Sequence, residues 1–286
     1  MITTVKANGK CKPNFRNFEA YEKEISMEER NNRPVILVTN DDGVSAKGIN
    51  SLVDSLRGLG RIIVVAPDSA RSGQSGAITP NKPLELLKIR EDEDVEVYQT
   101  NGTPVDCVKL AMHEILDGKP DLLVSGINHG SNAAISILYS GTMGAVLEGC
   151  VMGVHSIGFS LCNFDKDADF SKSMQYARTI AQDVLLRGIQ PGVCLNVNIP
   201  DVEEVKGIRV CRQAAGYWAK EFERRSDEQG QEGYWLTGYF HNLEPEAEDT
   251  DEWALREGFV SVVPCRIDMT AHRFISELAY LQELKS

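Results

Sequence analysis

A short apolar run, Val35-Ile36-Leu37-Val38, breaks off in the polar turn Thr39-Asn40-Asp41-Asp42-Gly43, and this junction constrains the fold of the 286-residue chain most. Four aliphatic side chains without alternation describe a strand covered on both faces, the environment of a parallel sheet flanked by helices. Ile49, Leu52, Val53, Leu56 and Leu59 then recur at helical spacing, and Gly58 and Gly60 mark the stop. Arg61-Ile62-Ile63-Val64-Val65-Ala66 supplies a second buried strand. Strand, helix and strand within roughly thirty residues form a βαβ unit, which winds right-handed into a parallel sheet.

The alternation continues down the chain. Residues 95–100 read as a strand, 105–116 as a helix, and 121–125 as another short buried strand ending in Gly126-Ile127-Asn128. A helix rich in small residues is predicted over 142–152, a strand over 156–161, and a long helix through Phe170, Met174, Ala177, Ile180, Ala181, Val184 and Leu185. From Val193 the texture turns to strands at 193–199, 208–213, 235–240 and 259–263, separated by polar stretches such as 224–233. The acid-rich run 244–252 reads as a solvated loop. Phe274, Leu278, Leu281 and Leu284 space out a terminal helix. The expected organisation is an N-terminal extension over 1–33, surface-packed or partly mobile, and an α/β domain over 34–286. Within that domain the core spans 34–200 and a β-rich portion spans 201–286.

Charge narrows the partners. A formal net charge of −12 repels a polyphosphate backbone, and no Lys/Arg cluster offsets it, so a nucleic-acid polymer is not expected as partner. Small anionic substrates stay open, because a bound cation reverses the local potential. No apolar run reaches the roughly 18 residues of a membrane span, so no membrane partner is expected either. The seven cysteines show no C-x-x-C pair, which fits free thiols in a reducing cytoplasm. None is followed six positions later by Arg, so the loop of a cysteine-dependent phosphatase is absent. The G-x-G-x-x-G, P-loop and G-x-S-x-G motifs are also missing.

In an open parallel sheet, ligands bind beyond the carboxyl ends of the strands. The first strand ends in Asp41-Asp42, two adjacent carboxylates that only a cation or hydrogen-bond donors stabilise together as ions. Oxygen ligands of this kind suit magnesium or manganese; the same residues equally suit a turn or helix cap. The second strand leads into Asp68-Ser69-Ala70-Arg71-Ser72-Gly73, and a later one into Asn128-His129-Gly130-Ser131-Asn132. Ser140-Gly141-Thr142 directly precedes a helix, where N–H groups and the dipole favour an anion. Four polar turns thus fall at one edge of one sheet. His129 reads either as a general acid for a leaving alkoxide or as a surface donor.

These motifs resemble the survival-protein SurE family of nucleotidases. The likeness rests on residues 38–43, Ala66-Pro67-Asp68 with Arg71-Ser72-Gly73, Gly102-Thr103-Pro104, Ser125-Gly126-Ile127-Asn128, Tyr139-Ser140-Gly141-Thr142, Asn196-Val197-Asn198-Ile199-Pro200, Thr250-Asp251 and residues 260–268. The resemblance implies a Rossmann-like, three-layer, mostly parallel sheet with a β-hairpin extension used in a homodimer or homotetramer. It implies hydrolysis of nucleoside 5′- or 3′-monophosphates, with polyphosphate trimming as a side activity. It implies one divalent metal (magnesium or manganese) per subunit on Asp41, Asp42, Ser72 and Asn128, and phosphate contacts at Asn132, Ser140, Gly141 and Thr142. Asp41, Asp42 and Asn132 are then the expected catalytic residues, with a metal-activated water attacking phosphorus. The rival expectation is a nucleotide-binding sensor without turnover.

Overall fold

A computed structural model of the chain describes residues 33–227 and 229–284; the extension expected over 1–33 lies, but for Arg33, outside them. β1 (Val35–Thr39) is buried on both faces, as its unbroken apolar run predicts. It sits between β2 (Arg61–Pro67) and β5 (Leu122–His129), parallel to both. β4 (Val95–Thr100) extends the sheet beyond β2, while β6 (Ser156–Leu161) and β7 (Val193–Ile199) extend it beyond β5, all parallel. The chain therefore winds outward in one direction through β2 and β4, then in the other through β5, β6 and β7. The reversal lies between β1 and β5, and their carboxyl ends open the crevice where such sheets bind ligands.

Four helices cover the two faces. α1 (Lys47–Leu56) and α4 (Ser171–Arg187) bury Ile49, Leu52, Leu56, Ala177, Ala181 and Val184 against Ile36, Val38, Ile62 and Val64. α2 (Pro104–Leu110) and α3 (Gly141–Val151) bury Val108, Met143 and Val146 against the alternate residues Leu37, Ile63, Val65 and Leu123. Period-two alternation within fully apolar strands thus feeds two separate cores. The helix starts are written locally. Thr103 accepts from Asp106 N while Asp106 accepts from Thr103 N, a reciprocal cap with Pro104 in the first turn.

The sheet carries antiparallel edges. β3 (Leu86–Glu91), whose strand sequence reasoning missed, pairs with β4; only Leu86 of its residues is not exposed, so no burial pattern marks it. On the far side β13 (Val260–Arg266) runs antiparallel to β7, and β8 (Ile208–Val210) completes the nine-stranded order β3-β4-β2-β1-β5-β6-β7-β13-β8. Between β8 and β13 the chain leaves as one long hairpin. Its base pairs β9 (Gly216–Ala219) with β12 (Tyr239–Asn242), and its outer part pairs β10 (Phe222–Ser226) with β11 (Glu232–Leu236). The single strand expected over 235–240 is broken because Gly238 (φ 106°) and Lys220 (φ 54°) bend the two arms between those pairs.

Three further expectations change. The helix expected over 105–116 is α-helical only to Leu110 and widens into a π turn over Ala111–Ile115. The terminal helix is instead two isolated 3₁₀ turns, His272–Phe274 and Ala279–Glu283. Phe274, Leu278 and Leu281 are each about half exposed, so no apolar surface stabilises a longer helix there. The acid-rich run is not solvated throughout: Thr250 caps α5 (Asp251–Arg256), and Asp251 is 1% exposed. Among the described residues no helix is long and apolar enough to cross a membrane, and the six described cysteines are free.

α1 approaches β5 closely at Gly48, where a Cβ would overlap the Ile127 carbonyl oxygen. Gly48→Ala is expected to destabilise the protein by about 1–3 kcal/mol in urea titrations despite alanine's higher helix propensity. A neutral or stabilising result would show that α1 is free to shift away.

Candidate active site

The carboxyl ends of β1 and β5 border a cavity of about 640 Å³, and Asp41, Asp42, Ser72, Asn128, Asn132 and Ser140 all line it. Six residues from four separate turns are thus brought together as expected. Asn40 closes the first turn by donating its amide to the Gly43 carbonyl at 3.0 Å. Arg71 N–H then donates to the Asp41 carbonyl at 2.6 Å, tying the loop that carries Ser72 to the end of β1. The Arg71 guanidinium is occupied elsewhere, on Asp68 and the Asn101 carbonyl, both at 3.0 Å.

Asp41 is only 5% exposed. Its Oδ1 accepts the Thr142 hydroxyl at 2.5 Å, and the side chain lies directly on Gly141, where a Cβ would come within 2.8 Å of the Asp41 Cβ. The start of α3 is therefore occupied by a carboxylate of the protein itself. Of the three phosphate contacts expected there, Ser140 faces the cavity and also caps the helix by accepting from Met143 N at 3.1 Å. Gly141 and the fully buried Thr142 lie against Asp41. Burial nevertheless lifts the Asp41 carboxyl to about 6; the Thr142 hydrogen bond works against the rise and the Asp42 charge adds to it.

Asn128 donates its amide to the carbonyls of His129 (3.2 Å) and Gly130 (2.9 Å). Both donors are then satisfied and Oδ1 remains as the uncommitted acceptor. Ser72 likewise makes no hydrogen bond to the other described residues. Two carboxylates, a hydroxyl and an amide oxygen are the hard donors a divalent cation takes. No cluster of three or more His, Cys, Asp or Glu side chains is placed for a metal among the described residues, so such an ion would need the neutral oxygens. Asp41 itself, buried beside a second acid and in no ion pair with a cationic side chain among the described residues, is what a cation would relieve, and the donor set fits one.

Across the cavity Asn132 is held by a network that sequence reasoning did not assign. Its N–H donates to Asn198 Oδ1 (2.8 Å), its amide to Ser160 Oγ (2.9 Å), and its carbonyl accepts from Asn196 (2.8 Å). Asn198 in turn donates to Asn196 Oδ1 at 3.1 Å. Two amides at alternate positions of the otherwise apolar strand β7 are the one trace of it in the sequence. Asp251 was also missed as a part of the site's frame. Its carboxylate accepts from Ala134 N (2.8 Å) and Ala214 N (2.9 Å), joining the turn after Asn132 to the root of the hairpin.

His129 is not a surface donor. Nδ1 lies 3.3 Å from Asp42 Oδ2, and the ring meets Phe170 edge-on at 4.9 Å.

In metal-free protein the raised Asp41 pKa has a definite sign. The folded state binds this proton more tightly than the unfolded chain, so the contribution is present below the ordinary value of 3.8 and lost as pH rises through about 6. Asp41→Asn is therefore expected to stabilise chelator-treated protein at pH 8 by up to about 3 kcal/mol, the gap closing towards pH 4. Equal stability of parent and variant at both pH values would contradict the burial argument.

The survival protein SurE family model matches residues 36–220, which include all six cavity residues named above. Over 246 residues, 86% of this chain and 96% of the other, it is 54% identical to the 5′-nucleotidase SurE of Phocaeicola vulgatus. It is 50% identical to the protein of the same name from Bacteroides fragilis, covering 87% of this chain and 97% of that one. The crystal structure of SurE protein from Aquifex aeolicus is similar with a TM-score of 0.76 at 39% identity, covering 87% of this chain and all of that chain. The motifs at the strand ends, the sheet order and these matches agree, and the chain belongs to the survival protein SurE family.

Proposed function

We propose that this chain is a divalent-metal-dependent phosphomonoesterase that hydrolyses nucleoside 5′- and 3′-monophosphates to nucleoside and phosphate, with trimming of polyphosphate as a side activity. One observation carries the reading. An almost fully buried Asp41, its pKa raised, stands beside Asp42 in a cavity shared with Ser72 and Asn128 at the reversal point of the sheet. The names of the relatives, 5′-nucleotidase SurE, give the substrate class.

Asp41, Asp42, Ser72 and Asn128 are assigned to one magnesium or manganese ion per subunit. When bound, such an ion supplies charge neutralisation at the phosphoryl oxygens and a more acidic water. The chain's own contribution is positioning. Asn132 and Ser140 are assigned the phosphate, with Gly141 and Thr142 serving that grip by fixing Asp41 opposite it. Donors held rigidly where charge develops stabilise the transition state without reorganising. His129, paired with Asp42, is the group able to hold or pass a proton beside the carboxylates. Phe164, Trp218 and Leu236 give the cavity an apolar portion.

The chain is further assigned a homo-oligomer, dimer or tetramer, because Phe222, Tyr234 and Leu236 of the hairpin and Phe274, Ile275 and Leu284 of the terminal segment are exposed. Free thiols suit a reducing compartment, the cytoplasm. Sedimentation of a pure monomer at micromolar concentration would refute the assembly.

Chelation is expected to abolish phosphate release from nucleoside monophosphates and manganese to restore it. Asp42→Asn is expected to lower kcat by about 10²–10⁴-fold and to remove the rise in Tm that manganese gives the parent. Activity falls in acid, because the ligands bind as carboxylates. An Asp42→Asn protein with parental turnover in manganese would end the assignment.

A further inference from the structure

The same cavity has a second end built from different elements. Phe164, beyond β6, lies with its ring against Gly130, where a Cβ would overlap the aromatic carbons. Gly130 takes a φ of 96° immediately after the Asn128–His129 pair. One face of the Phe164 ring is thus seated on the site's backbone, yet the residue is 81% exposed. Trp218 of β9 lines the same cavity; it pairs in register with Phe240 of β12, and β9 packs on the turn Ala134–Leu138. Two aromatic side chains held by backbone on separate elements make stacking surfaces for a planar ring.

Between β9 and β10, at the bend of the hairpin, stands Glu221, which also lines the cavity. Its backbone is pinned: Thr237 N–H donates to the Glu221 carbonyl at 2.7 Å, and a Cβ at Gly238 would lie 3.2 Å from the Glu221 Cα. Its carboxylate makes no hydrogen bond or ion pair with any described residue. Glu221 is exposed, so an unpaired acid here adds only a screened repulsion to a phosphate dianion, and it becomes favourable when it meets a donor edge. Among nucleobases only guanine presents two adjacent donors, N1–H and the 2-amino group, matching the two oxygens of a carboxylate as a guanidinium does. Adenine offers one amino group beside the N1 acceptor, and that acceptor faces the carboxylate unfavourably. Hypoxanthine offers N1–H alone.

We propose that Glu221 selects guanine, with Phe164 and Trp218 stacking on the base, so that guanosine monophosphates are the preferred substrates of this site. The assignment rests on the nucleotidase reading above and adds the specificity to it.

The test compares kcat/KM for GMP, IMP and AMP in saturating manganese for the parent, Glu221→Gln and Trp218→Leu, with ribose 5-phosphate as the base-free reference. The parent is expected to prefer GMP over AMP by about tenfold, with IMP between them. Glu221→Gln is expected to bring that ratio to within about twofold, since one donor then faces another. Trp218→Leu should lower the nucleotide-to-ribose-5-phosphate ratio for every purine through KM. Both positions lie on the hairpin, and circular dichroism checks that the variants fold. Hydrolysis of all three purines by the parent at equal kcat/KM overturns the guanine assignment and leaves the nucleotidase reading standing. So does an unchanged GMP-to-AMP ratio in Glu221→Gln. Failure of the parent to hydrolyse any nucleotide overturns both.

Discussion

An acid carried into the protein interior beside a second acid is the constraint around which the cavity is arranged. Asp41 lies two residues beyond the end of β1, in the turn that opens on the cavity. It is held by what surrounds it: Gly141 has no side chain to collide with it, Thr142 gives it a hydroxyl, and Arg71 fixes its backbone through a main-chain bond. Ser72 is delivered to the same place by that last contact. The arrangement leaves the carboxyl harder to ionise than a free one, a difficulty that a bound cation would remove. Ligand demand is thereby built into the stability of the fold.

The two ends of the crevice are organised by different physics. The carboxylate end is set by strand termini and a helix start, which are rigid parts of the main sheet. The aromatic end comes from the hairpin and from the segment after β6, which meet the sheet through a few specific ties. Asp251 is the principal tie, since one buried carboxylate accepts from the turn after Asn132 and from the hairpin root together. Loops carried on a rigid scaffold in this way vary in what they recognise while the chemistry beneath them stays put.

Much of the sheet was legible in the residues because its strands are buried on both faces and therefore write unbroken apolar runs. The converging turns were legible for the same reason, since each polar cluster stands where such a run stops. β3 was illegible because an exposed edge strand writes no hydrophobic pattern. The terminal segment misled because helical spacing states only which residues share a face, and here that face is about half exposed among the described residues. Thr142 illustrates a finer limit. Its position at a helix start suggested an anion, and the structure adds a partner that spacing does not show, the Asp41 carboxylate 101 positions away. Asn196, Asn198, Asp251 and Glu221 depend likewise on contacts between distant segments, which spacing along the chain does not contain.

The network that grips Asn132 is made of amides, a serine hydroxyl and main-chain groups, none of which changes charge between acid and alkali. Those bonds on Asn132 are consequently blind to proton concentration. The ionisable side chains of the cavity, Asp41, Asp42, His129 and Glu221 among them, stand outside that network. The molecule thus keeps a chemically inert clamp on Asn132 apart in kind from the responsive side chains that share its cavity.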